Sequence, residues 1–167
     1  STLDRSSAAS DVYKRQLFMD SKEKMIRTAI ESIKIGPDMV RIYPTLVIKD
    51  TKLAFLYEAG IYKPLDLDEA VEISSEIAML YMYSGIDIIR IGLQPTENIN
   101  EGKDVIAGPF HPAFRQLVEA NIYRTYLEEI ICDEEIEDEL TIFTNDRNIS
   151  LIAGNNKSNK KYFYDKY

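Results

Sequence analysis

The side chains with the clearest claim on chemistry are two arginines, Arg41 and Arg90. Each stands in a short β-branched run beside further polar residues. A guanidinium offers a planar fork of donors that meets a carboxylate or a phosphate through two parallel hydrogen bonds. Tyr43 and Thr45 alternate with Arg41, and Gly92 and Gln94 alternate with Arg90. A glycine inside a strand lets a ligand approach the backbone closely. The remaining inventory excludes more than it offers. One cysteine, Cys132, and one histidine, His111, cannot build a zinc cage or any other Cys/His-only metal site. No metal site is assigned. Cys132 has no base nearby to lower its pKa and reads as a half-buried apolar residue. His111 precedes Pro112 and reads as a helix cap, with no matched partner for proton transfer. Asp87 belongs to no recognisable catalytic carboxylate pair. The 11 tyrosines are scattered over several elements and read as packing residues with polar tips.

Charge narrows the function classes further. The 167 residues carry 28 acids and 20 bases, a formal net charge of −8. That argues against a protein that coats nucleic acid by charge alone, but leaves room for a local basic patch. One such patch lies near the end of the chain, where Lys157, Lys160, Lys161 and Lys166 face only Asp165. The run Ser150-Leu-Ile-Ala-Gly-Asn-Asn-Lys-Ser-Asn159 has the order helix, glycine loop, helix of a KH-like backbone clamp, with one glycine where that motif uses two. The other reading is a helix C-cap followed by a solvated loop. Residues 128–139 hold eight acids and no base, and read as a solvated helix end and turn. No apolar run approaches the roughly 18–20 residues that span a bilayer. The start lacks the pattern of a secretory signal. A single cysteine excludes an internal disulfide and fits a reducing, cytoplasmic setting.

The elements that must position these residues begin at Asp20. Residues 1–16 are polar and small, and Asp11-Val-Tyr-Lys-Arg-Gln16 looks like the translation of a sequencing adapter. That leader, non-native or disordered, is set aside from the fold. Asp20 with Glu23 forms a capping-box pattern ahead of Met25, Ile26, Ala29, Ile30 and Ile33 at helical spacing, and Gly36-Pro37 ends that helix. Residues 39–48 are predicted as one strand. A short helix follows over Thr51–Ala59. A second capping box, Asp66 with Glu69, opens a helix to about Ser84 with Ala70, Ile73, Ile77, Leu80 and Ser84 as its inner stripe. Residues 86–93 form a strand of the nearly continuous apolar kind found in parallel sheets. The loop through 98–112 leads to Pro112 at a helix start. That helix packs through Phe114, Leu117, Val118, Asn121, Ile122 and Tyr126. Residues 140–144, LTIFT, are predicted as a strand. A helical turn over Ile149–Ala153 follows, then a last helix that Ser158 would cap.

Helix, strand, helix, strand is a βαβ unit with a helix ahead of it. Two strands do not make a stable sheet alone, so the unit is expected to join strands lying upstream or else to pair its strands in some unusual way. Alternation places Val40, Ile42, Pro44 and Leu46 on one face and Arg41, Tyr43 and Thr45 on the other. In the second strand it separates Asp87, Ile89, Ile91 and Leu93 from Ile88, Arg90, Gly92 and Gln94. On a βα barrel the second set of each strand faces inward, with Arg41 deeper than the rest, because unpaired polar groups need a wet or liganded environment. Two readings stand for the arginines: a ligand role, or ion pairs with acids of neighbouring strands.

Several strings then resemble a known family. Arg41-Ile-Tyr-Pro-Thr-Leu-Val-Ile48, Asp50-Thr-Lys-Leu53, Tyr62-Lys-Pro-Leu65, Glu69-Ala-Val71 and Ile89-Arg-Ile-Gly-Leu-Gln-Pro95 are similar, in order and spacing, to radical S-adenosylmethionine (SAM) enzymes like the catalytic subunit of Elongator. The resemblance covers roughly residues 20–130 and is nearest to the shorter bacterial proteins with a C-terminal extension. Gly108-Pro-Phe-His-Pro112 resembles the start of that extension.

The resemblance implies an α/β fold, here the C-terminal part of a partial (β/α) barrel followed by a small α+β extension. It sets expected limits at 17–100 for the barrel part and 101–167 for the extension. It implies SAM and a [4Fe-4S] cluster held by three cysteines in the intact protein, with a 5′-deoxyadenosyl radical acting on tRNA or other RNA. The chain departs from the family in having no cysteine triad, so it is expected to be a fragment, inactive alone, that lacks the N-terminal half of the same barrel. The resemblance places Tyr43, Thr45, Arg90, Gly92 and Gln94 near the cofactor, and Arg41, Lys157, Lys160 and Lys161 near substrate or RNA. Alternatives are an enzyme like the oxygen-independent coproporphyrinogen oxidases, or a non-catalytic RNA- or protein-binding module.

Overall fold

Pro44 divides the segment that the sequence presents as one strand. A proline has no N–H to give to a ladder and is confined to the margins of sheets. In the computed structural model, which describes residues 20–93, 104–131 and 139–167, strand β1 covers Met39–Ile42 and strand β2 covers Val47–Ile48. They belong to different sheets. β1 pairs in parallel with β3, Asp87–Ile91, and β2 pairs antiparallel with β4, Val105–Ala107. β4 lies where the sequence reading had only a loop. Three residues are too few to display a period, and only the partner edge of β2 makes them a strand. The two segments expected to be parallel neighbours, around residues 40 and 90, do pair with one another.

The helices follow local capping chemistry. Helix α1, Lys22–Ile35, is capped by Ser21, whose hydroxyl accepts from the Lys24 N–H at 3.4 Å. The cap is thus a single side chain one residue later than the expected Asp20–Glu23 box. Ser21 is the residue in the extended conformation that an N-cap requires, so its shorter side chain reaches the free N–H. A hydrogen bond with Ser21 holds the Glu23 carboxyl below its ordinary range. Gly36, at φ 69°, ends the helix in the left-handed region as expected, with its N–H on the Ile33 carbonyl. Helix α2, Lys52–Glu58, starts at Thr51, which accepts from the Ala54 N–H at 3.2 Å. Helix α3, Leu67–Tyr83, carries the full Asp66–Glu69 capping box. It is the crossover between β1 and β3.

α1 packs on α3, and α3 on β3. Val40 and Ile42 of β1 are buried, as are Met25 and Ala29 of α1 and Ile73, Ile77 and Tyr81 of α3. Ala70, Ile73 and Ile77 of the expected stripe are buried, but toward its C-terminal end the stripe is rotated. Ser74, Ser75 and Ala78 are inside, Leu80 is half-buried and Ser84 is exposed. Tyr81 explains the rotation. Its ring is fully buried and its hydroxyl meets Ser32 Oγ of α1 at 2.5 Å. The Ser32 hydroxyl donates to the Ala29 carbonyl, so the proton between Ser32 and Tyr81 comes from tyrosine. A second, smaller cluster gathers Val47, Ala54 and Tyr62 under β2, with Leu53, Leu56 and Ala107 against it.

The chain divides into two units between Phe114 and Arg115. Helix α4, Phe114–Ile131, starts two residues after Pro112, which lies in the preceding turn. The second unit adds helix α5, Ile149–Ala153, a single 3₁₀ turn over Asn155–Lys157, and helix α6, Ser158–Lys166. Ser158 is the first residue of α6 and Lys157 its cap, not Ser158 as expected. Tyr126, expected on the packed face of α4, is exposed. The LTIFT segment is no strand. It joins no ladder among the described residues, and Phe143 is 94% exposed. A β-branched run becomes a strand only where an edge receives it. Among the described residues the fold is mixed α/β with two two-stranded sheets, and no helix is long and apolar enough to cross a membrane.

Replacing Tyr81 by Phe removes the α1–α3 hydrogen bond while keeping the ring. The expected loss is about 1 kcal/mol of unfolding free energy, read by urea titration.

Candidate functional site

β1 and β3 do not run in simple register. Met39 lies beside Asp87 and Val40 beside Ile88, but Arg41 lies beside Arg90 and Ile42 beside Ile91. Ile89 is the extra residue, so β3 bulges there. Laterally paired residues share a face of the sheet. Val40, Ile42 and Ile91 are buried, and this is the face turned toward the helices. Arg41 and Arg90 are exposed on the open face, side by side. Strict alternation had put Ile88 on the arginine face and Asp87 on the helix face. The bulge reverses both assignments while leaving those of Arg90 and Ile91 as expected, because the parity of a strand changes at an inserted residue. Arg41 is also no deeper than Arg90, since the two stand at one level. Neither forms an ion pair with any described residue.

At the C-terminal end of β1 the expected residues separate from the arginines. Tyr43 and Thr45 line a small recess with Ile42, Pro44, Leu65 and Ser74, bounded on one side by residues of α1 and α3. Gly92 follows β3 at φ 76° and donates its N–H to the Ile42 carbonyl at 2.8 Å. A β-carbon there would stand 2.8 Å from the Phe114 side chain. The group that approaches Gly92 is therefore Phe114, and the glycine serves a turn and a close aromatic contact. Gln94 and Cys132 lie outside the described residues. His111 accepts the Ala113 N–H on Nδ1 at 3.1 Å, within the turn that precedes α4.

In the second unit, Lys157, Lys160 and Lys161 are exposed on the turn between α5 and α6 and on the first turns of α6. Asn156 and Lys157 both have left-handed backbone, at φ 51° and 61°. Gly154 has φ 80°, and a β-carbon on it would come within 2.7 Å of the Asn159 nitrogen. The glycine is thus needed for the turn. Asn159 fixes it from inside. It is 3% exposed, and its Nδ2 donates to the Ala120 carbonyl at 2.8 Å and the Ile152 carbonyl at 3.2 Å. The sequence reading missed Asn159, since an asparagine beside a serine at a helix start looks like surface. It also missed Glu128, which accepts from the Tyr162 hydroxyl and from Lys166 Nζ at 2.6 Å. The spacing from Glu128 to Tyr162 is 34 residues, beyond any local pattern. Arg124 covers the Tyr162 ring at 5.0 Å. Among the described residues no three His, Cys, Asp or Glu side chains are placed to hold a metal ion.

Residues 37–124 match the family described as the Radical_SAM C-terminal domain, just over half of the chain. The chain belongs to that family. The match spans the βαβ unit, the β2–β4 pair and the first part of α4, and it agrees with the resemblance drawn from Arg41–Ile48 and Ile89–Pro95. Two curated proteins are similar over 57 residues, which is 34% of this chain. The tRNA uridine(34) acetyltransferase of Methanocaldococcus jannaschii is 44% identical over that stretch, and that of Methanocaldococcus infernus 37%. The match spans only 10% and 11% of those two proteins' lengths.

Lys166 at hydrogen-bond distance holds the Glu128 carboxyl below its ordinary range, helped by the Tyr162 hydroxyl. A carboxyl with a lowered folded pKa contributes stability that is complete above its unfolded value and is lost as the pH falls through its folded one. Glu128→Gln is therefore expected to lower stability at pH 7, with the difference from wild type closing below about pH 4. Urea titrations at pH 7 and pH 3 measure both.

Proposed function

We propose that this chain is part of a radical SAM protein that modifies tRNA or other RNA in the cytoplasm, and that it supplies wall and RNA-contact residues rather than the reactive centre. The observation that carries the reading is the family match over the βαβ unit that presents Arg41 and Arg90 on an open sheet face. The curated relatives' names, each a tRNA uridine(34) acetyltransferase, support tRNA as the substrate class. In this reading β1 and β3 are neighbouring strands of a partial (β/α) barrel completed by the N-terminal half of the same barrel. The open face lines its interior.

Family membership implies SAM and a [4Fe-4S] cluster. The cluster needs three thiolates, and this chain has one cysteine. Its residues do not fit that group. The chain by itself is proposed to have no radical activity. Toward SAM it would offer Arg90 on the open face and, from the recess at the end of β1, Tyr43 and Thr45, while the space at Gly92 is taken by Phe114. Toward RNA it would offer Arg41 and the loop lysines. Lys157, Lys160 and Lys161 stand on a turn held by Asn159, so the backbone that carries their charges needs no reordering on binding.

Substituting Lys157, Lys160 and Lys161 together by alanine is expected to weaken tRNA binding by the 167-residue chain. It should also make the dependence of log affinity on log salt shallower by about 2, at about 0.7 per lost phosphate contact. Fluorescence anisotropy across a salt series reads both, and unchanged affinity with an unchanged slope removes these lysines from the RNA surface. In a protein that also carries the cluster loop, Arg90→Ala is expected to slow SAM cleavage or turnover by at least about tenfold, the loss of one charge-assisted contact. Wild-type kinetics in a folded variant remove Arg90 from that site.

A further inference from the structure

The bulge at Ile89 has a chemical consequence. Without it, Arg90 would stand beside Ile42, on the face packed against helices, and Ile91 would be turned outward. With it, Ile91 joins the core and Arg90 moves to the open face beside Arg41. Burying a guanidinium against apolar helices without partners costs several kcal/mol, so the bulge satisfies a packing demand. Yet packing alone asks only that Arg90 leave the core. Pairing Ile91 with Ile42 then sets Arg90 beside Arg41, and packing leaves that juxtaposition of like charges unneutralised. Side chains on neighbouring strands start about 4.8 Å apart, and like charges placed directly side by side destabilise a sheet. No acid among the described residues neutralises the pair. Asp87 shares the open face, beside Met39, but makes no ion pair with either arginine.

We infer that Arg41 and Arg90 form a single oxyanion clamp, in which two guanidinium forks on adjacent strands close on one phosphate or carboxylate group. Two forks present more donors than one oxyanion can use from a single side, so the group is held from two directions and its position along the strands is defined. The anion also removes the repulsion between the arginines, so that the two sites are energetically one. The clamp gives chemistry to the open face on which the proposed function rests, but it can be tested without cluster, cofactor turnover or RNA modification.

The test is an NMR titration of the arginine Nε–Hε signals in the 167-residue chain with inorganic phosphate. The Arg41 and Arg90 signals are expected to shift together on one isotherm. Arg41→Gln or Arg90→Gln should each weaken phosphate at least about tenfold, with the double substitution no worse than the weaker single. Arg→Lys at either position keeps the charge but loses the fork, and should weaken phosphate similarly. Both side chains are exposed, and far-UV circular dichroism confirms that each variant is folded. Parallel titrations with SAM and with a short single-stranded RNA identify the source of the oxyanion. Displacement of phosphate by SAM supports a cofactor carboxylate, and displacement by RNA supports a backbone phosphate. Signals that shift independently, lysine variants that bind as wild type does, or no shift with any of the three ligands would overturn the clamp. Loss of the clamp with tRNA binding retained by the lysine loop would leave the proposed function standing.

Discussion

A guanidinium cannot be seated against the apolar side of a helix layer, and the β1–β3 pair is arranged around that restriction. Simple alternation along the strand 87–91 would keep Arg90 away from the helices with Ile89 and Ile91 against them, but it would turn Asp87 to the helices and Ile88 away from them. The inserted Ile89 resolves the conflict by changing the parity of the strand midway. With Ile88 beside Val40, that single adjustment gives the burial of Ile91, the exposure of Arg90 and its placement beside Arg41. Bulges are rare in parallel pairs and locally disrupt the ladder, so the cost is concentrated where the open face carries its charge.

The layer behind that sheet is held by more than apolar area. Tyr81 brings a hydroxyl into the buried contact between α1 and α3, where Ser32 accepts its proton while donating its own to Ala29. Each buried polar atom of this chain of bonds is thereby satisfied, which is the condition for a hydroxyl to be tolerated inside. Lys22 joins the same two helices at their exposed margin through Glu72 and Glu76. The second unit uses a comparable device. Asn159 is spent on backbone carbonyls of α4 and α5, and Glu128 ties α4 to α6 through Tyr162 and Lys166. The lysine-bearing turn is therefore a rigid surface supported from beneath.

The parts legible in the sequence are those governed by neighbours a few residues apart. The Asp66–Glu69 box, the Gly36 stop, the helix over 67–83 and the parallel partnership of the segments near 40 and 90 were all readable there. Capping and helical periodicity are local, and a β–α–β order leaves few topologies. Candidate arginines were also legible, since a lone charge in an apolar run must find water or a ligand. The break at Pro44 was readable in principle, as proline lacks the donor a ladder needs, but β-branched residues on either side masked it. β4, the absent LTIFT strand, Asn159 and the Glu128 cluster were not legible, because each depends on a partner far along the chain.

By itself, then, the sequence determined which segments are helices, which two strands are parallel neighbours, and the family to which residues 37–124 belong. Those properties rest on local sterics, capping hydrogen bonds and strings of specific residues. Only the tertiary structure decided which face each strand residue occupies, that Phe114 fills the space above Gly92, and that two arginines 49 residues apart become neighbours. A strand's facing is set by its register with a partner, and one inserted residue reverses it, so no reading of a single strand in isolation could have assigned it.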